Sequence, residues 1–247
     1  MRKFLRLGYN IVTKVLPHPR FIAEFYRFRK LQPKGSRLSW LDTWPITNEN
    51  TSSTKFDSHY IYHPAWAARI IKQVNPEFHV DISSTLHFCT QLSAFIPTRF
   101  YDYRPAFLNL SDLRSEHADL CALTFESGSI KSLSCMHTIE HVGLGRYGDP
   151  IDPLGDRKAA SELKRVLAPE GSLLMVVPVG RPRIMFNGQR IYSFDQLTGL
   201  FDGLVLENFS LIPDNAETSG IVMNADPSLV ALQNNGCGCF WFKKPAN

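Results

Sequence analysis

The 247-residue sequence predicts a doubly wound α/β fold, a mostly parallel sheet with helices on both faces. Three observations carry this. From Glu77 onward, short apolar runs alternate with segments of helical period. The run LLMVV at 173–177 is apolar at every position, as in a strand covered on both faces. Asp81, Asp102 and Asp119 stand at the ends of successive apolar runs, where an open parallel sheet gathers its ligands. With 44% hydrophobic and 20% charged residues the chain has material for one large core, which excludes a disordered polymer.

The elements follow in order. Residues 1–31, MRKFLRLGYNIVTKVLPHPRFIAEFYRFRKL, read as two short helices parted at Pro17 and Pro19, the second with Phe21, Phe25, Phe28 and Leu31 at helical period. Residues 33–63 are rich in Ser, Thr and Asn but carry Trp40, Trp44 and Phe56, which predicts an ordered extended segment laid over the main domain. His63–Pro76 reads as a helix with Pro64 in its first turn and Trp66, Ile70 and Val74 on one face. The predicted division is therefore 1–63, a basic arm and covering segment, and 64–247, the α/β domain. Within the latter, strands are expected at Phe78–Ile82, Thr98–Tyr103, Ile130–Met136, Ser172–Val177, Leu204–Phe209 and Cys239–Lys243, with a short one before Asp119. Helices are expected at Thr85–Ile96, Gly155–Leu167 and Ser193–Leu200, the last capped by Ser193.

The formal charge of +4 is unevenly placed. Residues 1–37 carry ten Lys or Arg against Glu24 alone, or +9, which leaves −5 on the other 210 residues. An acidic body with a basic arm argues against nucleic acid as a partner. The arm either packs on the body or meets an anionic membrane surface through residues 1–31. No apolar run reaches the length of a signal-peptide core or a membrane span. Five cysteines without C-x-x-C spacing predict free thiols in a reducing, cytoplasmic protein. Cys237 and Cys239 face the same way on a strand, but the spacing offers them no partners, so no metal is expected.

Function is expected at the carboxyl ends of the strands, where Asp81, Asp102, Asp119 and the His137–His141 stretch converge. An acid ending the second strand can accept both hydroxyl hydrogens of a ribose. Asp119 can reach an adenine amino group, with Leu120 as a flat apolar contact. G-x-G-x-x-G is absent, which disfavours a nicotinamide-dependent dehydrogenase.

Four stretches carry a family likeness: HVDISSTLHF, RFYDYRP, ADLCALTFESGSIKSLSCMHTIEHVGLGRYGDPIDPLGD and ELKRVLAPEGSLLMVVPVG. Through them, from about His79 to Phe209, the body resembles the class I S-adenosylmethionine-dependent methyltransferases, and within these DUF268, a bacterial and nematode family of unknown function. The resemblance implies that Asp81, Ser83 and Ser84 form the first cofactor loop, that Asp102 faces the ribose, and that Asp119 and Leu120 frame the adenine. It places His137 just past the fourth strand. One departure stands out: the family's D-x-G-x-G-x-G is here Asp81-Ile82-Ser83-Ser84-Thr85-Leu86-His87, without glycine. Either the two serines still admit S-adenosylmethionine, or the pocket is narrowed and the protein is a non-catalytic binding or scaffold protein.

Two further segments complete the expectation. His137-Thr138-Ile139-Glu140-His141 matches H-x-x-E-H, the inverted zinc-protease pattern, but it leaves a buried strand and meets Gly143, Gly145 and Gly148, which oppose a helix. His137 or His141 is instead the expected base, with Glu140 stabilising the junction. The loop from Gly143 to Asp156 offers Arg146, Tyr147, Asp149, Asp152 and Asp156, a set suited to a polar or glycan-type acceptor, to a divalent cation, or to a rigid structural loop. Arg181 and Arg183, with Asn187, form a second candidate acceptor cluster.

Overall fold

The computed structural model describes residues 18–246, which divide between Lys55 and Phe56 into two compact units. In the first, α1 (Pro19–Leu31) starts with Pro19 in its first turn, and the His18 Nδ1 accepts from the Arg20 N–H. Phe21 and Phe25 set their rings edge-on to Trp40, with centroids 6.1 and 4.9 Å apart. No residue of α1 is buried, and Tyr26, Phe28 and Leu31 are exposed. The second arm helix is thus where its period puts it; the first lies outside the described residues.

The second unit opens with α2 (Ser58–Val74), which begins five residues before the expected His63. The missed signal is Asp57, whose carboxylate accepts from the His59 and Tyr60 N–H groups as an N-cap. Pro64 therefore lies inside the helix rather than in its first turn. There follow β1 (His79–Ile82), α3 (Leu86–Leu92, capped by Thr85), β2 (Thr98–Asp102), β3 (Leu113–His117), β4 (Ile130–Met136) and α4 (Gly155–Val166). Then come β5 (Leu167–Val179), the hairpin β6–β7 (Arg183–Met185 and Gln189–Ile191), α5 (Phe194–Leu200), β8 (Val205–Ile212), α6 (Ala216–Ser219) and β9 (Gly236–Lys243). Ser193 caps α5 through a full capping box with Gln196. The hairpin and α6 were not expected: their segments are too short to show a period.

The main sheet runs β3-β2-β1-β4-β5-β9-β8, parallel from β3 to β5, with β9 antiparallel to both of its neighbours. Helices cover both faces, and β5 shows why its run is continuously apolar. Leu173, Met175, Val177 and Val179 enter one core with Leu163 of α4, while Leu174 and Val176 enter the other with Trp66 of α2 and Phe88 of α3.

Polar atoms also cross the centre of this sheet. Ser84 N–H and the Ser134 hydroxyl both donate to Asp81, from Ser84 at 3.0 Å to Oδ1. With the Ser134 hydrogen so committed, its oxygen accepts from His79 Nε2–H at 2.8 Å, and the Ser132 hydroxyl donates to His79 Nδ1 at 2.8 Å. Ser132, His79, Ser134 and Asp81 are all buried. Burial pushes His79 down to about 3, and burial pushes Asp81 up to about 6 against the hydrogen bonds from Ser134 and Ser84.

These shifts act in opposite senses. Between pH 3 and 6.5 the unfolded chain protonates residue 79 and the folded one does not, so His79 makes stability rise with pH. Between pH 3.8 and 6 the folded chain holds a proton on residue 81 that the unfolded one has lost, so Asp81 makes stability fall with pH. Urea unfolding from pH 4 to 6 should show Asp81→Asn steeper than the parent by about 1.4 kcal/mol per pH unit, and His79→Gln shifted by about as much the other way. Parallel curves for all three proteins would contradict this account.

Candidate functional site

The strand ends build one cleft, of about 170 Å³. Of the expected site residues, Ser83 comes from the end of β1, Asp102 from β2, Asp119 and Leu120 from beyond β3, His137 and His141 from beyond β4, and Tyr147 and Asp149 from the following loop. Eight residues from separate stretches thus share one depression. Tyr103, Arg104 and Thr138 line it too and were missed. The available signal was position: Tyr103 and Arg104 directly follow Asp102, and the latter's Oδ1 accepts from the Arg104 N–H at 2.7 Å. The Arg104 guanidinium lies 4.5 Å from the Tyr147 ring centroid.

The glycine-free loop keeps a glycine-like backbone. Ser83 has φ +58°, the left-handed region that the missing glycine would occupy without strain. Its N–H and hydroxyl both donate to the Tyr101 carbonyl, at 2.7 and 3.3 Å. Ser84 Oγ accepts from the Met136 N–H at 3.1 Å, and the Thr138 hydroxyl donates to the Ser83 carbonyl at 2.9 Å. Asp81 and Ser84 therefore do not line the cleft. They tie β1 to β4 beneath it, because each has its polar atoms committed inside the sheet.

The H-x-x-E-H stretch forms no α-helix. Ile139–His141 is a single 3-10 turn, and His137 precedes it with φ +55°. Glu140 is fully buried and its Oε1 accepts from His137 Nδ1 at 3.0 Å. His141 Nδ1 lies 2.7 Å from the Gly188 carbonyl oxygen and 3.3 Å from Arg146 Nη1, and its Nε2 stands 3.7 Å from Glu140 Oε1. Burial holds the His141 pKa below its ordinary value, with Glu140 partly opposing the shift. Both histidines thus face Glu140 Oε1 from a 3-10 turn rather than from one side of an α-helix, and the protease arrangement is not formed.

Most of the polar loop serves its own shape. Asp149 accepts from the Gly143, Gly145 and Tyr147 N–H groups. Asp152 is turned to Lys158 at 2.7 Å and to the Leu154 N–H. Asp156 accepts from the Tyr192 hydroxyl at 3.2 Å and faces Arg190 at 3.5 Å. These commitments leave no cation cage among the three aspartates. Arg146 donates to the Gly188 carbonyl and flanks Tyr147 without lining the cleft. Arg183 is tied to the Arg181 and Asn234 carbonyls, Arg181 and Asn187 are exposed, and none of the three lines the cleft. The expected second cluster thus stays out of the cleft's lining, although the turn between β6 and β7 meets the cleft's edge at Gly188.

Residues 111–221 match the family model described as "Caenorhabditis protein of unknown function, DUF268", in agreement with the likeness in the sequence. The match takes in β3, β4, the His137–His141 turn and the polar loop, and leaves out β1 and β2. No curated protein sequence matches. Among solved structures, the YcgJ protein of Bacillus subtilis is 12% identical, with TM-score 0.50 over 74% of this chain and 100% of its own. A candidate methyltransferase from Bacillus halodurans is 12% identical, with TM-score 0.52 over 74% and 99%. The fold is that of the class I methyltransferases.

The loop over the cleft depends on Gly143. It has φ +78°, and an added Cβ would lie 2.0 Å from the Asp152 carbonyl oxygen. Gly143→Ala should cost roughly 2–4 kcal/mol in urea unfolding, from left-handed strain plus backbone overlap. Limited proteolysis should then cut first within residues 143–155. A variant as stable and as resistant as the parent would contradict the loop's described packing.

Proposed function

We propose that the cleft binds S-adenosylmethionine and that the domain is a methyltransferase for a small polar or glycan-related acceptor. The observation that carries this is the left-handed Ser83 at the end of β1, which preserves the course of a glycine-rich loop without its glycines. The donor set fits the cofactor. Asp102 would accept from the ribose hydroxyls, and Asp119 with buried Leu120 would frame the adenine. When bound, the cofactor supplies a sulfonium methyl group as the electrophile.

This chain's residues then have to align the acceptor and take its proton. His141 is suited to accept that proton, since it lines the cleft and burial holds its pKa below the ordinary value. His137 has both ring nitrogens engaged and acts as part of the wall. The competing reading, a non-catalytic relative, is favoured by the cleft's size, since 170 Å³ is below the roughly 300 Å³ from which ligand pockets usually start.

Calorimetry separates the two. The parent should bind S-adenosylmethionine and S-adenosylhomocysteine, Asp102→Ala should bind at least about tenfold more weakly, and Ser83→Gly should bind at least as well as the parent. Absence of heat from all three proteins would favour the non-catalytic reading.

A second proposal concerns α1. Its exposed Tyr26, Phe28 and Leu31 stand among Arg27, Arg29 and Lys30, a composition suited to peripheral contact with an anionic membrane. No helix among the described residues is long and apolar enough to cross one. Removing residues 1–31 should abolish salt-sensitive binding to liposomes containing phosphatidylserine and leave cofactor affinity unchanged. Equal liposome binding by the shortened chain would refute the contact.

A further inference from the structure

Beside the cleft, three distant parts of the second unit bring metal-ligating side chains together. His59 lies in the first turn of α2, His137 just past β4, and Cys237 in β9, and one ligand atom from each falls within 4.8 Å of the other two. The His137 Nε2 to Cys237 Sγ distance is 3.5 Å. Two ligands on a tetrahedral zinc, at ordinary Zn–N and Zn–S lengths, stand about 3.5 Å apart. The His59 and His137 rings are stacked, 5.4 Å between centroids and 10° between planes.

The surroundings carry an excess of buried acceptors. Glu140 orients His137 by accepting from Nδ1, the carboxylate–histidine arrangement that points the other nitrogen at a metal. Its second oxygen, Oε2, is buried without a hydrogen-bond partner. His63 donates from Nδ1 to the His59 carbonyl at 2.6 Å, which leaves its buried Nε2 a lone pair with no partner either. The His63 ring centroid is 5.1 Å from that of His137. Unpaired buried acceptors are costly, and two gathered around one imidazole mark a place where positive charge is wanted.

The backbone at His137 makes the meeting possible. Met136, at the end of β4, belongs to the core shared with α2 and with Cys237. Regular strand alternation would send residue 137 to the opposite face. With φ +55° its ring instead contacts those of His59, Tyr60 and His63 on α2. Such a strained residue persists where its surroundings hold it, commonly at a functional position.

We propose that His59, His137 and Cys237 form a zinc site, with Glu140 as the positioning carboxylate. Binding exchanges the Cys237 thiol proton, released to solvent, for a zinc–thiolate bond. Three protein ligands leave a fourth position, and because His137 also lines the cleft, the ion stands in its wall. The site does not depend on the cofactor reading, and either can fail alone.

Cobalt(II) titrated into the chelator-treated, reduced full chain tests it. One equivalent should give the visible bands of a tetrahedral site and a near-ultraviolet thiolate charge-transfer band, both displaced by zinc. Cys237→Ser should lose the charge-transfer band and Cys121→Ser should keep it. His59→Gln should weaken binding at least about tenfold, and Glu140→Gln by about 10- to 100-fold. X-ray absorption of the zinc-loaded parent should show one sulfur with nitrogen or oxygen neighbours, a readout independent of how the variants fold. A spectrum without the thiolate band, a band that survives Cys237→Ser, or a zinc shell without sulfur would overturn the proposal.

Discussion

The buried polar chain from Ser132 through His79 and Ser134 to Asp81 is the constraint on which the rest of the domain depends. Burial of the strand faces already specifies register, and a chain of donors and acceptors in a low dielectric pins it residue by residue. Shifting β1 by one residue against β4 would leave His79 and Asp81 unpaired inside the core, a larger cost than rearranging a few aliphatic side chains. The chain thereby fixes where β1 and β4 end. From those ends leave Ser83 and His137, the two left-handed residues that border the cleft.

A second polar centre holds the opposite wall. Buried Arg190 on β7 donates to the Val142 carbonyl at 2.6 Å and faces Asp156 of α4, whose carboxylate also receives the Tyr192 hydroxyl. One guanidinium thus joins the hairpin, the start of α4 and the turn after β4. Its planar set of donors can satisfy several acceptors at once, which a lysine could not do at this position. The polar loop between these anchors is therefore a built part of the cleft, and its aspartates are spent on its own backbone and on Lys158, Tyr192 and Arg190. Acceptor recognition would fall to the groups left at the mouth, above all Arg104 and Tyr147.

The legible part of the fold was the part with a period. Ile130–Met136 and the capped helix after Ser193 stand where expected, because seven or more residues of pattern, or a cap with its reciprocal glutamine, leave little ambiguity. The hairpin at 183–191 and the start of α2 at Ser58 were not legible: the first is too short to show alternation, and the second opens on polar residues chosen for capping. The cleft was legible to the extent that a parallel sheet dictates it, through Asp102, Asp119 and Leu120 at strand ends. Arg181 and Arg183 were misplaced because proximity in sequence to the end of β5 does not say where a side chain turns, and Arg183 turns to the Arg181 and Asn234 carbonyls.

The histidine–cysteine cluster shows a different kind of illegibility. Metal motifs are read from short spacings, and His59, His137 and Cys237 come from opposite ends of the domain. Even a correct strand assignment points the wrong way, since alternation puts residue 137 on the other face from Met136. Only the left-handed backbone at 137 reverses this, and nothing in the local letters requires it, because a histidine adopts that conformation only where its contacts hold it there. Those contacts are the Glu140 carboxylate on one nitrogen, Cys237 on the other, and the α2 rings against its faces. The strain at 137 and the convergence of ligands are therefore one feature, set by packing after the sheet has formed. A substitution that relaxed the backbone there, such as His137→Gly, would remove the ligand and the reason for the turn together.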